Sequence, residues 1–152
     1  MIPETVGGVP LHPLIVHAVV VLIPLTALGV LAIAVVPRWR SRYGSLVAIV
    51  AVISAALVPF AARTGLMLQD ILGEDDDIDR HRQLGQTLLY TAIPLALIAI
   101  VLWWIGRREE RGANTSRGLV MVAGILGVVL AIGVGVQVAL IGHSGANAAW
   151  GS

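Results

Sequence analysis

The stretch G-L-V-M-V-A-G-I-L-G-V-V-L-A-I-G-V-G-V-Q-V-A-L-I, residues 118–141, carries no charge and a single polar side chain, Gln137. At 1.5 Å of helical rise per residue it exceeds the roughly 20 residues needed to cross about 30 Å of hydrocarbon. Working outward, the same reading recurs along the chain. No Asp, Glu, Lys or Arg occurs from Thr5 to Pro37, from Tyr43 to Ala62, from Gln83 to Gly106, or from Gly118 to Ser152. Spans are therefore expected near 14–36, 44–66, 83–106 and 118–141. They use up the 152 residues, so one transmembrane domain over 1–152 is expected, with no separate soluble domain. The N-terminus has no basic stretch before its first apolar run and does not read as a cleaved signal peptide.

Composition agrees. Only 12% of residues are charged, and mean hydropathy is +0.90. A soluble domain carries about a quarter charged residues, so this surface faces something other than water. The fold class expected is all-α, an integral membrane four-helix bundle running up-down-up-down. The lipid bilayer is its first partner, and no nucleic-acid partner is expected. The chain has no cysteine, which excludes disulfides, cysteine-ligated iron–sulfur clusters and covalent haem attachment.

Charges between the spans set an orientation. Loop one carries Arg38, Arg40 and Arg42, and loop three carries Arg107, Arg108, Arg111 and Arg117 against Glu109 and Glu110. Loop two is acidic, with Asp70, Glu74, Asp75, Asp76, Asp77 and Asp79, and has Arg63, Arg80 and Arg82 at its edges. Short cytoplasmic loops are enriched in Lys and Arg. Loops one and three are therefore expected in the cytoplasm of a bacterial plasma membrane, with loop two and both termini outside. Trp39, Tyr43, Trp103 and Trp104 then fall at the cytoplasmic interface, where amphipathic rings are favoured. Asp76, Asp77 and Asp79 suit the N-terminus of span three, where negative charge meets the helix dipole. A Ca²⁺ site is the alternative, but the spacing is not that of an EF-hand loop.

Two rows of small residues predict close helix packing. Span four has Ala123, Gly127, Ala131, Gly135 and Ala139, one residue in four, and the next step is His143. Such small-xxx-small ridges let helices approach. The other reading is room for a flat cofactor beside the ridge at its outer end. Span two has Ala51, Ala55, Pro59 and Arg63. Pro24, Pro59 and Pro94 place one proline inside each of the first three spans, and Gln137 is expected to bond across helices.

All four histidines, His12, His17, His81 and His143, fall at one end of the bundle under this orientation. His17 lies inside the apolar stretch L-I-V-H-A-V-V-V-L, where an ionisable residue is costly and marks a candidate site. The plain reading is a neutral imidazole bonded to a carbonyl or water. The sharper one is ligation of haem or a metal ion, with proton relay behind it. Spans one and three lie on the diagonal of an up-down bundle, so His17 and His81 are the first pair for a haem or a metal. His143 and His12 are further or alternative ligands. Arg63, Arg80 and Arg82, on the same side, suit haem propionates because Arg matches carboxylates bidentately; ordinary interfacial arginines are their plain reading.

L-H-P-L-I-V-H at 11–17, D-R-H-R-Q-L-G-Q-T-L at 79–88 and I-G-H-S-G-A-N-A-A-W at 141–150 resemble the bacterial membrane family known as domain of unknown function 2231. That domain resembles a small relative of four-helix b-type cytochrome domains and occurs beside redox modules. The resemblance implies non-covalent haem b and an electron-transfer role, with a redox protein or respiratory complex as partner, and it maps the family's histidines onto His12, His17, His81 and His143. Where many members carry Gly-Gly after span four, this chain has Ser144-Gly145-Ala146. Two other functions stay open: a histidine-based metal-binding membrane protein, and a cofactor-free accessory subunit of a larger complex, alone or with further copies of itself. No nucleophile–base pair, phosphate loop or metalloprotease motif appears, so the sequence assigns no enzyme activity; a redox-active chain would be an electron-transfer subunit.

Overall fold

A computed structural model describes the backbone of residues 5–6, 9–72 and 76–150, and the side chains of 15–63, 83 and 85–143. Four long helices make up almost all of it: α1 (Leu11–Val35), α2 (Pro37–Leu72), α3 (Asp76–Glu110) and α4 (Arg117–Trp150). A two-residue antiparallel pairing of Thr5–Val6 with Val9–Pro10 precedes them. The helices contain apolar stretches long enough to span a bilayer, Ile15–Val35, Pro37–Arg63, Gly85–Glu110 and Arg117–His143. Each helix packs on its sequence neighbours, α1 closes the ring against α4, and the α1–α3 diagonal is the weakest of these contacts.

The helices outrun the expected spans. Loop one shrinks to Val36, because Pro37 has its φ already set for the first helical position. Arg38, Arg40 and Arg42 are therefore helical. At the opposite end α2 runs on to Leu72 and α3 starts at Asp76, so the broad acidic loop is mostly helix. Apolar runs mark only the part of a helix that hydrocarbon covers; outside it, backbone hydrogen bonds continue the helix without apolar side chains. Asp76 and Asp77 open α3 as the dipole argument requires, and His81 falls in its second turn.

Helix α3 ends on a Schellman motif. Gly112 takes φ +69°, which an L side chain rarely adopts. The amide of Ala113 donates to the carbonyl of Arg108 (3.0 Å) and that of Gly112 to Glu109 (3.1 Å). The α3–α4 loop and the α1–α2 turn lie together at the end that carries seven arginines, here the arginine end. His17, Arg63 and His143 lie at the other, the histidine end.

One core links all four helices: Ile23, Val30 and Ile33 from α1, Ala51 and Val58 from α2, Leu95, Leu102 and Ile105 from α3, and Ala123, Ala131 and Val134 from α4. Outside it lies a belt of exposed apolar residues, including Val21, Leu28, Leu46, Ile49, Leu97, Met121, Val129 and Ile132. Two buried or half-buried polar side chains inside the bundle clip helices together. Ser54 Oγ donates to the Val50 carbonyl (2.7 Å), so Thr26 Oγ1 is the donor in its 2.9 Å contact with Ser54 Oγ, which clips α1 to α2. Gln137 clips α4 to α3 as expected: its Nε2 donates to Thr87 Oγ1 (2.9 Å) and its Oε1 accepts from Thr91. Such interhelical bonds contribute about 0.6 kcal/mol on average in a membrane.

Only half of the span-four ridge packs. Ala123, Gly127 and Ala131 are buried, whereas Gly135 and Ala139 are exposed. The buried stripe leaves the row at Ala131 and continues through Val134, with Val138 and Ile141 packed beside it. Four residues turn a helix by 400°, so a strict one-in-four row drifts about 40° per step, and a straight contact must alternate steps of three and four. The span-two row behaves the same way. Ala51 is buried, but the stripe then runs through Ser54 and Val58 while Ala55 and Pro59 are half-buried and Arg63 is exposed.

Candidate functional site

His17 is exposed. The row Val19, Ile23, Ala27 and Val30 faces the core, and the row His17, Val21, Leu25 and Leu28 faces outward. The sequence-based expectation of a buried His17 inside the bundle is corrected here. In a membrane helix both the core face and the lipid face are apolar, so an apolar neighbourhood in sequence carries no information about burial. His143 is exposed too, and it ends the outward row Gly135, Ala139, His143 on α4.

Antiparallel register relates the two. Gly127 of α4 packs against Val30 and Ala34 of α1, and Gly124 faces the Ala34 carbonyl. Continued toward the histidine end, this register brings His17 within about one helical turn of His143 in height. In this half α4 is small and open, for among the described residues a Cβ built on Gly135 or Gly142 meets nothing within 4 Å. The hydroxyl–amide cluster of Thr87, Thr91 and Gln137 holds α3 to α4 in the same half of the bundle. Arg63 is exposed on α2. The side chains of His12 and His81 lie outside the described residues, so the His17–His81 pair does too. Among the described residues no group of three or more His, Cys, Asp or Glu is arranged to hold a metal ion.

The arginine end holds a residue that sequence reasoning missed. Arg40 was assigned to a cytoplasmic loop, yet it is 2% exposed. Its Nε donates to the Ile33 carbonyl (3.2 Å) and its Nη2 to the Ala34 carbonyl (3.3 Å), so it caps the C-terminus of α1 with a positive charge, where the dipole favours one. Its Nη1 lies 3.7 Å from Glu109 Oε1. Gly106 of α3 lies against its backbone, with room for no Cβ: one built there would come 2.9 Å from the Arg40 carbonyl carbon and oxygen. A signal existed. With Pro37 opening the helix, Arg40 heads the row Gly44, Ala48, Ala51, all small and all buried.

Aromatic and arginine side chains ring that end. Arg108 stacks over Trp104 (4.8 Å) and Arg42 over Tyr43 (5.5 Å), while Trp39 meets Tyr43 edge-on. This is the composition of a membrane–water interface.

Four apolar helices with a lipid-facing belt and an aromatic interface define a polytopic membrane protein. The chain belongs to the predicted membrane protein family DUF2231, whose model matches residues 8–152. Comparison with curated proteins and with solved structures finds no match.

Proposed function

We propose that this membrane protein holds b-type haem at its histidine end and serves electron transfer in a bacterial plasma membrane. The observation that carries the reading is the open outward row Gly135–Ala139–His143 on α4, with His17 of the neighbouring helix at nearly the same height. Small residues leave room for a flat ring, and an imidazole ends the row. A haem in the bundle interior does not fit, because His17 faces outward. A haem against the outer face fits this donor set, held by His17 with His143 or His81, and with Arg63 at the same end for a propionate. Bound there, it supplies a one-electron redox centre. The protein's residues supply the imidazoles and an apolar surface, and the absence of cysteine makes the attachment non-covalent.

Full-length protein purified in mild detergent from haem-supplied cells should show a Soret band. His17→Ala should abolish or strongly shift it, and comparing His81→Ala with His143→Ala identifies the second ligand. A colourless wild-type protein overturns the haem reading.

In the same reading the arginine end faces the cytoplasm, because seven arginines lie there against two glutamates. The chain is free of cysteine, so single cysteines report sidedness directly. A membrane-impermeant maleimide added to intact spheroplasts should label Gln83→Cys and not Asn114→Cys. The reverse pattern inverts the orientation.

A further inference from the structure

A groove of about 420 Å³ runs along the outside of the bundle between α4 and the α1–α2 turn at the arginine end. Ala34, Val120, Met121, Gly124 and Val128 line it, and Arg40 is the one charged residue on its wall. Its volume lies in the range of ligand sites, about 300–1,000 Å³. Two arginines belong to it in different ways. Arg117 stands three and seven residues before Val120 and Gly124, so it heads the face of α4 that lines the groove, and it is exposed. Arg40 is buried, and its Nη1 has no hydrogen-bond acceptor, the nearest carboxylate oxygen being Glu109 Oε1 at 3.7 Å. The charge of Arg40 is offset by Glu109 and the α1 carbonyls, so the groove is apolar along its length and takes its positive charge at the head from Arg117. The head lies level with the Trp39, Tyr43 and Trp104 interface, where lipid phosphates sit.

We propose that this groove is a binding site for one anionic phospholipid of the leaflet at the arginine end. An acyl chain lies along Val120, Met121, Gly124 and Val128. The phosphate meets Arg117 at the rim. Charge complementarity selects this occupant. A segment of a second protein copy would bring mostly arginine to the same place, because this end carries seven arginines and two glutamates. A zwitterionic lipid fills the apolar part but brings no net counter-charge to Arg117. Basic residues next to spanning helices are attracted to anionic lipid surfaces by the same field.

The test uses full-length protein, delipidated in mild detergent and titrated separately with phosphatidylglycerol and with phosphatidylcholine of the same acyl chains. Native mass spectrometry reads the bound lipid. One phosphatidylglycerol per chain is expected, retained about tenfold more strongly than phosphatidylcholine. A Cβ at Gly124 meets only the Ala34 carbonyl, at an ordinary 3.6 Å, so Gly124→Leu fills the groove without a backbone clash. It should lower retention of both lipids about tenfold. Val128→Phe blocks the same groove if Gly124→Leu does not fold. Arg117→Gln should remove most of the headgroup preference and leave phosphatidylcholine binding as it was. Gly133→Leu, in open space on the same helix, is the control and should change nothing. Equal binding of the two lipids by wild-type protein overturns the proposal, as does retention unaffected by both blocking variants. A lipid-free dimer that Gly124→Leu dissociates assigns the groove to a second copy and overturns it as well.

Discussion

Gly127 and Gly135 lie two steps apart on one row of α4, and their surroundings have little in common. A Cβ on Gly127 would sit 3.1 Å from Leu102 Cδ1 and 3.2 Å from Ala34 Cβ, whereas one on Gly135 would meet nothing within 4 Å. The contrast extends to the whole bundle. Toward the arginine end, Gly44 lies against the Trp103 backbone, Gly106 against Arg40 and Gly127 between α1 and α3; toward the histidine end Gly85, Gly133, Gly135 and Gly142 meet no described neighbour. The same residue type therefore does two jobs. At one end it lets backbones touch where lipid supplies no hydrophobic force between helices. At the other it keeps the helix thin and uncovered beside the histidines.

Substitutions at these glycines can break or sharpen the contrast. The largest effect is expected at Gly106→Leu, because the clash is with Arg40 backbone and not with a yielding side chain. It should destabilise the bundle by more than about 3 kcal/mol, beyond the usual cost of overpacking. The readout is thermal unfolding in detergent followed by circular dichroism, and wild-type stability would mean α2 and α3 are not in contact there. Gly127→Leu comes next, at about 1–3 kcal/mol, since the tips of Leu102 and Val30 can partly give way. Gly135→Leu should be smallest, within about 0.5 kcal/mol of wild type. Equal losses for Gly127→Leu and Gly135→Leu would mean the ridge packs along its full length and would close the open seam.

The spans were legible because hydrocarbon thickness translates directly into run length, and the charged residues that break the runs fall where the apolar stretches end. Helix ends were less legible, since Pro37 and the segment up to Leu72 are helical for reasons that hydropathy does not measure. Gln137 was read as an interhelical bond and makes two, because a lone amide in hydrocarbon has few alternatives. The two misreadings share a cause. His17 looked buried and the Gly135 half of the ridge looked packed because an apolar sequence cannot tell a protein neighbour from a lipid one. Arg40 was misplaced in the opposite sense: a charge next to a span was taken for a wet one, though its row was marked by Gly44, Ala48 and Ala51.

The one-residue connection at Val36 has a bearing on how the chain enters the membrane. With α1 ending at Val35 and α2 starting at Pro37, a single residue separates the two helices. The loop that must close is as short as loops come, so pairing α1 with α2 costs almost no additional chain entropy. Arg40 is then delivered to the Ile33 and Ala34 carbonyls by its own neighbours in the chain. An α1–α2 hairpin alone thus caps the α1 carbonyls with the guanidinium, while its Glu109 partner and the Gly106 backbone packed against it come only with α3.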